Sequence, residues 1–347
     1  MLSPSFVSTP FRQGESFESW LRRFAFLRNC EVGALLRHLD CDRFANNPDS
    51  VWLWGIGERS VRRVAEFSRV EPDEICSSEL AATIVDLFPY ASNLRQLVDT
   101  AWVSVGTLRF CTLCLTEQQF FARSWQFGFV VACEKHGVLL TFGCGSCGRV
   151  RWSPLTHPPV RDGGVLDIAR CPNCRSWLTD VKPVAASASV LDAHQTIVNA
   201  MAGDGDLFGQ RVPPAVWVDA LSSMAALVTL SKTTGRSAQQ TWSRQQRKEH
   251  GSRDGARRAL LSDDPAQAAD VLPQAVDALA SRAGFDSLIA GSIRRLKITA
   301  HEPTASALLS VELYSVWASE EIAPSTHYPS GRRRPKRSTE NKHGSDD

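Results

Sequence analysis

The chain has 347 residues, 43% of them apolar and 22% charged, a composition that fits two or three folded domains, each with its own core. A formal net charge of +2 predicts no polyanion binding from the global field, so any such contact must come from a local patch. No apolar run is long enough to span a bilayer, and Met1-Leu2-Ser3-Pro4-Ser5 leads into no signal-peptide core, so a cytoplasmic protein with no membrane partner is expected.

Residues 1–13, with Pro4 and Pro10, read as an extended leader. From Ser16 a helix is expected, because Phe17, Trp20, Leu21, Phe24 and Ala25 recur at helical spacing, with Arg22, Arg23 and Arg28 facing away. A break at Asn29-Cys30-Glu31 precedes a second apolar face of Val32, Leu35, Leu36 and Leu39. Two short helices joined so tightly resemble a helix-turn-helix, with Ala25 at the crossing, Asn29 in the left-handed turn and Leu35 as the plug. The second helix would offer Glu31, Gly33, Ala34, Arg37 and His38 outward. A helical hairpin that only packs or binds protein satisfies the same pattern.

A second helical pair is expected at residues 60–80. Ser60 caps a helix carrying Val61, Val64, Ala65 and Phe67, and Glu71-Pro72-Asp73-Glu74 opens the next. Arg59, Arg62, Arg63 and Arg69 form a local basic face, largely offset by Glu58, Glu66, Glu71, Asp73 and Glu74. The contact candidates for nucleic acid or a partner are Arg22, Arg23, Arg37, Arg62 and Arg63. The bias of 32 Arg to 7 Lys suits phosphate and guanine edges and follows equally from genomic base composition.

The middle of the chain carries four ordered pairs of metal ligands: Cys111 and Cys114, Cys133 and His136, Cys144 and Cys147, Cys171 and Cys174. Each pair has two residues between its ligands, the spacing of a knuckle that turns both side chains to one ion, and two knuckles complete the tetrahedron that Zn²⁺ prefers. Sequential pairing gives a Cys₃His and a Cys₄ site; the pairs could also interleave. Sequential pairing is preferred because Trp125 to Ala132 and Val138 to Phe142 read as short strands that would present the knuckles at their ends. Two structural Zn²⁺ ions are expected, since four protein ligands leave no position for water or substrate. The zinc-deaminase pattern is not met: no H-x-E precedes, and Pro172 follows the first cysteine of its knuckle instead of leading it. Seven thiolates and two Zn²⁺ would bring the net charge to about −1. Cys30, Cys41 and Cys76 are expected to be small buried apolar residues in preference to reactive thiols.

Lys182-Pro183 opens a small-residue stretch, 185–190, read as a linker or boundary. Residues 190–320 look helical throughout, with Val216, Trp217, Ala220, Leu221, Met224 and Leu227 on one face after Pro213-Pro214, and with a helix starting at Asp263-Asp264-Pro265. Arg236 to Arg258 is a basic stretch, Arg294, Arg295 and Lys297 cluster, and Arg332 to Arg337 sit in a polar tail expected to be disordered. The expected fold is mainly α with a small β-containing zinc-finger middle: a helix-turn-helix-like domain over 1–105, a double zinc finger over 106–184, a helical domain over 185–322 and a basic tail over 323–347.

Gly14-Glu15-Ser16-Phe17-Glu18-Ser19-Trp20-Leu21, then Arg109-Phe110-Cys111-Thr112-Leu113-Cys114, then the Trp125 segment leading into Cys133-Glu134-Lys135-His136-Gly137, and finally the Cys144 and Cys171 knuckles resemble the TniQ/TnsD family of bacterial transposition proteins. The resemblance covers about residues 10–180 and is looser in the helical remainder. It implies a non-catalytic target-site selector of a Tn7-like or mercury-resistance-type transposon. Such a protein recognises target DNA or docks on an RNA-guided CRISPR effector complex, and it recruits an AAA+ ATPase that activates the transposase. A homodimer is compatible with this. No Walker loop and no evident metal-binding carboxylate cluster would make the chain the ATPase or the nuclease itself. The competing expectations are a stand-alone zinc-containing transcriptional regulator and a zinc enzyme.

Overall fold

The structure is a computed structural model that describes residues 9–39, 56–79, 103, 107–150, 161–162, 165–166, 168–171, 173–232 and 264–288. The sequence expectations for residues 1–8, Cys41, Arg236 to Arg258, Arg294 to Lys297 and the basic tail lie outside them.

Among the described residues, the amino-terminal body has four short helices around one apolar core. Helix α1 (Phe17–Leu27) starts where the Ser16 side chain accepts the Ser19 amide at 3.2 Å, satisfying one of the orphan donors of a helix start. It stops in a Schellman turn: Asn29 adopts φ 54°, its amide meets Phe26 O at 2.9 Å, and the Cys30 amide meets Ala25 O at 3.0 Å. Asn29 therefore takes the left-handed position expected of it, and α2 (Val32–His38) follows. Helices α3 (Glu58–Ser68) and α4 (Pro72–Ser78) close the body. Helix α3 begins two residues before the expected Ser60 cap, after Gly57 at φ 76°, and Arg69 holds the left-handed position at φ 57°.

Trp20, Leu21, Phe24, Leu35, Leu36, Val61, Val64 and Ile75 from the four helices share this core. Trp20 stacks on Phe24 with ring centroids 5.0 Å apart, and the Arg28 guanidinium lies 5.3 and 5.2 Å from the Phe24 and Phe67 rings, within cation–π reach. A tight left-handed turn between two short helices is geometry common to a DNA-reading helix-turn-helix and to a packing hairpin.

The second core runs from Val103 to Phe285. Its strands are two-residue antiparallel pairs. Strand β1 (Arg109–Phe110) pairs with β4 (Thr141–Phe142), and β2 (Ala132–Cys133) pairs with β3 (Val138–Leu139). Helix α5 (Thr112–Gln118) follows β1, and a further pair joins β5 (Arg161–Asp162) to β6 (Val165–Leu166). The expected strand from Trp125 is corrected: Arg123–Gln126 is a 3-10 turn, Phe127 makes a single bridge to Val103, and only Ala132 and Cys133 belong to a strand. The buried Arg109 guanidinium explains why. It donates to the carbonyls of Phe127 (2.8 Å), Gly128 (3.4 Å) and Val130 (2.7 Å), taking the acceptors that a strand ladder would use.

The stretch 185–190, expected as a linker, is fastened along β3 instead. The Leu139 amide meets Val184 O at 2.8 Å, the Ala186 amide meets Gly137 O at 2.9 Å, and Val138 bridges Ala185. Helix α6 (Ala188–Asn199) then enters the same core.

The carboxy-terminal part is not helical throughout. After α6 the chain bends at Gly203, φ 103°, into a hairpin of β7 (Asp206–Leu207) and β8 (Gln210–Arg211). Its turn residues Phe208 and Gly209 both have positive φ, 56° and 86°, as a type I′ turn requires. Helix α7 (Pro214–Lys232) packs on α9 (Leu272–Ala280). The helix expected from Asp263-Asp264-Pro265 divides into α8 (Pro265–Ala269) and α9, whose first turn contains a proline. No helix among the described residues is long and apolar enough to cross a membrane.

Candidate metal centre

The structure brings the eight ligands together in sequential pairing. Cys111, Cys114, Cys133 and His136 form one cluster and Cys144, Cys147, Cys171 and Cys174 the other, with the ligating atoms of each within 4.8 Å of one another. Three of the four knuckles close alike. The amides of Gly137, Gly148 and Arg175 meet the carbonyls of Cys133, Cys144 and Cys171 at 2.8, 2.8 and 2.9 Å, and all three residues lie in the left-handed region, at φ 61°, 67° and 63°. The fourth knuckle is the first turn of α5, where Cys111 is the N-cap and its Sγ accepts the Cys114 amide at 3.5 Å. Gly143 sets the approach to Cys144: at φ 79°, a Cβ there would sit 2.8 Å from Val150 and 3.2 Å from Arg149 O, so a side chain is excluded by both backbone and space.

In the first cluster His136 Nδ1 lies 3.3 Å from Cys114 Sγ and 3.5 Å from the sulfurs of Cys111 and Cys133, with Cys114 and Cys133 sulfurs 3.5 Å apart. In the second, the Cys144–Cys174 and Cys147–Cys171 sulfurs are 3.6 and 3.8 Å apart. A tetrahedron with Zn–S bonds of about 2.3 Å has edges of about 3.8 Å, whereas a disulfide needs about 2.05 Å; the spacing is that of ligands around one ion. Burial pushes the Cys171 thiol up to about 12, and a contact with the Ser176 hydroxyl draws Cys174 down to about 6; a bound divalent cation would favour the thiolate at every position. Both clusters can hold a metal ion and their donor chemistry is compatible with zinc.

Around the first cluster, Glu117 on α5 places Oε1 2.9 Å from His136 Nε2, and its other oxygen pairs with Lys135. This carboxylate was not singled out from the sequence, although Cys111, Cys114 and Glu117 follow one another at intervals of three on a helix. Near the second cluster, Asn173 Nδ2 is 3.6 Å from Cys147 Sγ and Arg149 Nη1 donates to Asn173 Oδ1 at 3.1 Å.

The basic candidates divide. The expectation that Arg22 and Arg23 face away from the core is corrected. Arg22 is 1% exposed and lies beside Glu18, while Arg23 donates to Glu15 Oε2 at 2.6 Å and to Pro10 O at 2.8 Å. The cause is a second buried face of α1. The Ser16 amide meets Phe121 O at 2.9 Å, Phe121 N donates to Ser19 Oγ at 3.1 Å, and Gln126 Nε2 to Glu18 Oε2 at 3.2 Å. Residues 119–126 thus cover the polar side of the helix that periodicity assigns to solvent. Burial drives the Glu18 carboxyl up to about 7 and the Arg22 guanidinium down to about 10, each partly offset by the other's charge. Arg37 is exposed on α2, Arg62 is exposed on α3 and paired with Glu58, and Arg63 is partly exposed.

Among protein families, residues 7–140 match TniQ. The matched segment contains the first cluster and the strap of residues 119–126 over α1, and it ends before Cys144. No curated protein matches the chain.

Proposed function

We propose that the chain, whose residues 7–140 match TniQ, is the non-catalytic selector of a Tn7-like or mercury-resistance-type element, the role in target selection that this match implies. It recognises the insertion target, as DNA or as an RNA-guided complex on DNA, and recruits the AAA+ ATPase that activates the transposase. The observation that carries the reading is the family match over the same residues that build the first cluster. The two ligand sets support a scaffold role, because two knuckles supply four protein ligands and leave no coordination position for a substrate.

Burial of Arg22 and the pairing of Arg23 with Glu15 and Pro10 move the proposed contact surface to Arg37, Arg62 and Arg63 on α2 and α3. Zn²⁺, where bound, supplies electrostatic cross-linking only. The four thiolates, or three and an imidazole, hold it, and the chain's own helices carry recognition.

Co-purification of the full chain with the element's AAA+ ATPase, with and without target DNA at several salt concentrations, tests the proposal. ATPase retention that rises with target DNA supports it. Target binding with no ATPase retention would instead indicate a stand-alone regulator. Arg37→Ala combined with Arg62→Ala should keep both zinc ions and weaken target or partner binding with a shallower salt dependence. Unchanged affinity at every salt concentration removes that surface.

A further inference from the structure

Nothing in the ligand pattern assigns a role to Glu117, yet its geometry at the first cluster is specific. Of the two ring nitrogens of His136, Nδ1 faces the sulfurs at 3.3 to 3.5 Å, and Nε2 faces Glu117 Oε1 at 2.9 Å. An ionised carboxylate only accepts, so the nitrogen facing it is Nε2–H, and in the neutral imidazole that leaves the Nδ1 lone pair toward the sulfurs. The carboxylate's second oxygen is held by Lys135, which lies inside the same knuckle as His136. Glu117 projects from α5, the helix that Cys111 caps and that contains Cys114. It therefore ties the helix of one knuckle to the turn of the other from outside the ligand set.

We infer that Glu117 is a positioning residue of the first metal site, accepting the His136 Nε2–H and so fixing the tautomer and ring plane in which Nδ1 can bind Zn²⁺. The inference rests on the reading of this cluster as a zinc site. Outer carboxylates of this kind change metal affinity without touching the ion.

The experiment uses the full chain loaded with zinc and titrated with a chromogenic chelator of known affinity, with ¹⁵N imidazole shifts of His136 recorded in parallel. Glu117→Ala should keep the fold, since the side chain is half-exposed, and should lower the affinity of one of the two zinc ions about 10- to 100-fold. The other ion should be unaffected. Glu117→Gln, whose amide oxygen still accepts from Nε2–H, should recover most of the loss, and Lys135→Ala should have a smaller effect. Wild-type affinity for both ions in Glu117→Ala, equal weakening of both, or a His136 protonated at Nδ1 in the loaded chain would overturn the role while leaving the zinc reading in place. A wild-type chain that holds no zinc at the first cluster would overturn both.

Discussion

The two clusters use the same two-residue knuckles but stand in different surroundings. In the first, all three cysteines are buried and His136 is partly so. Strand β1 and helix α5 supply one knuckle, strand β2 the other, and the Arg109 guanidinium and the 119–126 strap pack around them. In the second, Cys144 and Cys171 are buried while Cys147 and Cys174 reach solvent. Apolar anchorage there comes from Ile168 and Leu178, and the 3-10 turn Leu178–Asp180 lies against α5. The same two-residue knuckle thus serves once as the centre of a core and once as a clamp on its edge, because burial is decided by what flanks the knuckle and not by the knuckle.

The largest expected effect tests that difference directly. Cys111→Ser should abolish the cooperative unfolding transition of the whole chain, since about 10 kcal/mol or more of zinc-linked folding energy is comparable with a domain's entire stability. Circular dichroism during thermal unfolding, with zinc content measured alongside, checks it; a native melting curve without zinc at the first cluster would break the comparison. Cys147→Ser should be milder. It should cost one zinc ion and loosen the second cluster while the transition of the remaining core survives.

Next in size is Arg109→Ala, which leaves the carbonyls of Phe127, Gly128 and Val130 without their charged donor. About 3 kcal/mol or more should be lost in urea unfolding, with the first zinc held less tightly and the second unchanged. Equal loss from both clusters would show that the two are mechanically one unit.

The smallest effect lies at the seam between α1 and the strap. Because the Glu18 carboxyl is raised to about 7 in the folded chain, the folded state binds its proton more tightly than the unfolded state does. The stability this contributes is complete below the ordinary carboxylate range and is lost as pH rises through about 7, with a slope of at most about 1.4 kcal/mol per pH unit. Urea unfolding of wild type and Glu18→Gln between pH 4.5 and 8 should show that slope in the first and not in the second. A slope that persists in Glu18→Gln assigns it to another group.

The eight side chains of the two clusters were legible in the sequence because their chemistry is local: a two-residue interval and a soft donor identify a knuckle wherever it lies. Helices α1, α2 and α4, the Asn29 turn and the proline-led start of α8 were legible for the same reason, each resting on residues within one or two turns. Hidden from the sequence was everything set by remote segments. Arg22 reads as solvent-facing until residues 119–126 close over its face of α1, Arg23 until Glu15 and Pro10 hold it, and Trp125 as the start of a strand until Arg109 takes its neighbours' carbonyls. The segment at 185–190 read as a tether until β3 binds its backbone.

The sequence by itself determined which eight side chains converge, because ligand type and spacing act over a few bonds. The tertiary structure alone decided which cluster is buried, which arginines face solvent and that Glu117 reaches His136. Those outcomes depend on contacts between segments far apart along the chain, where no short-range pattern carries the information.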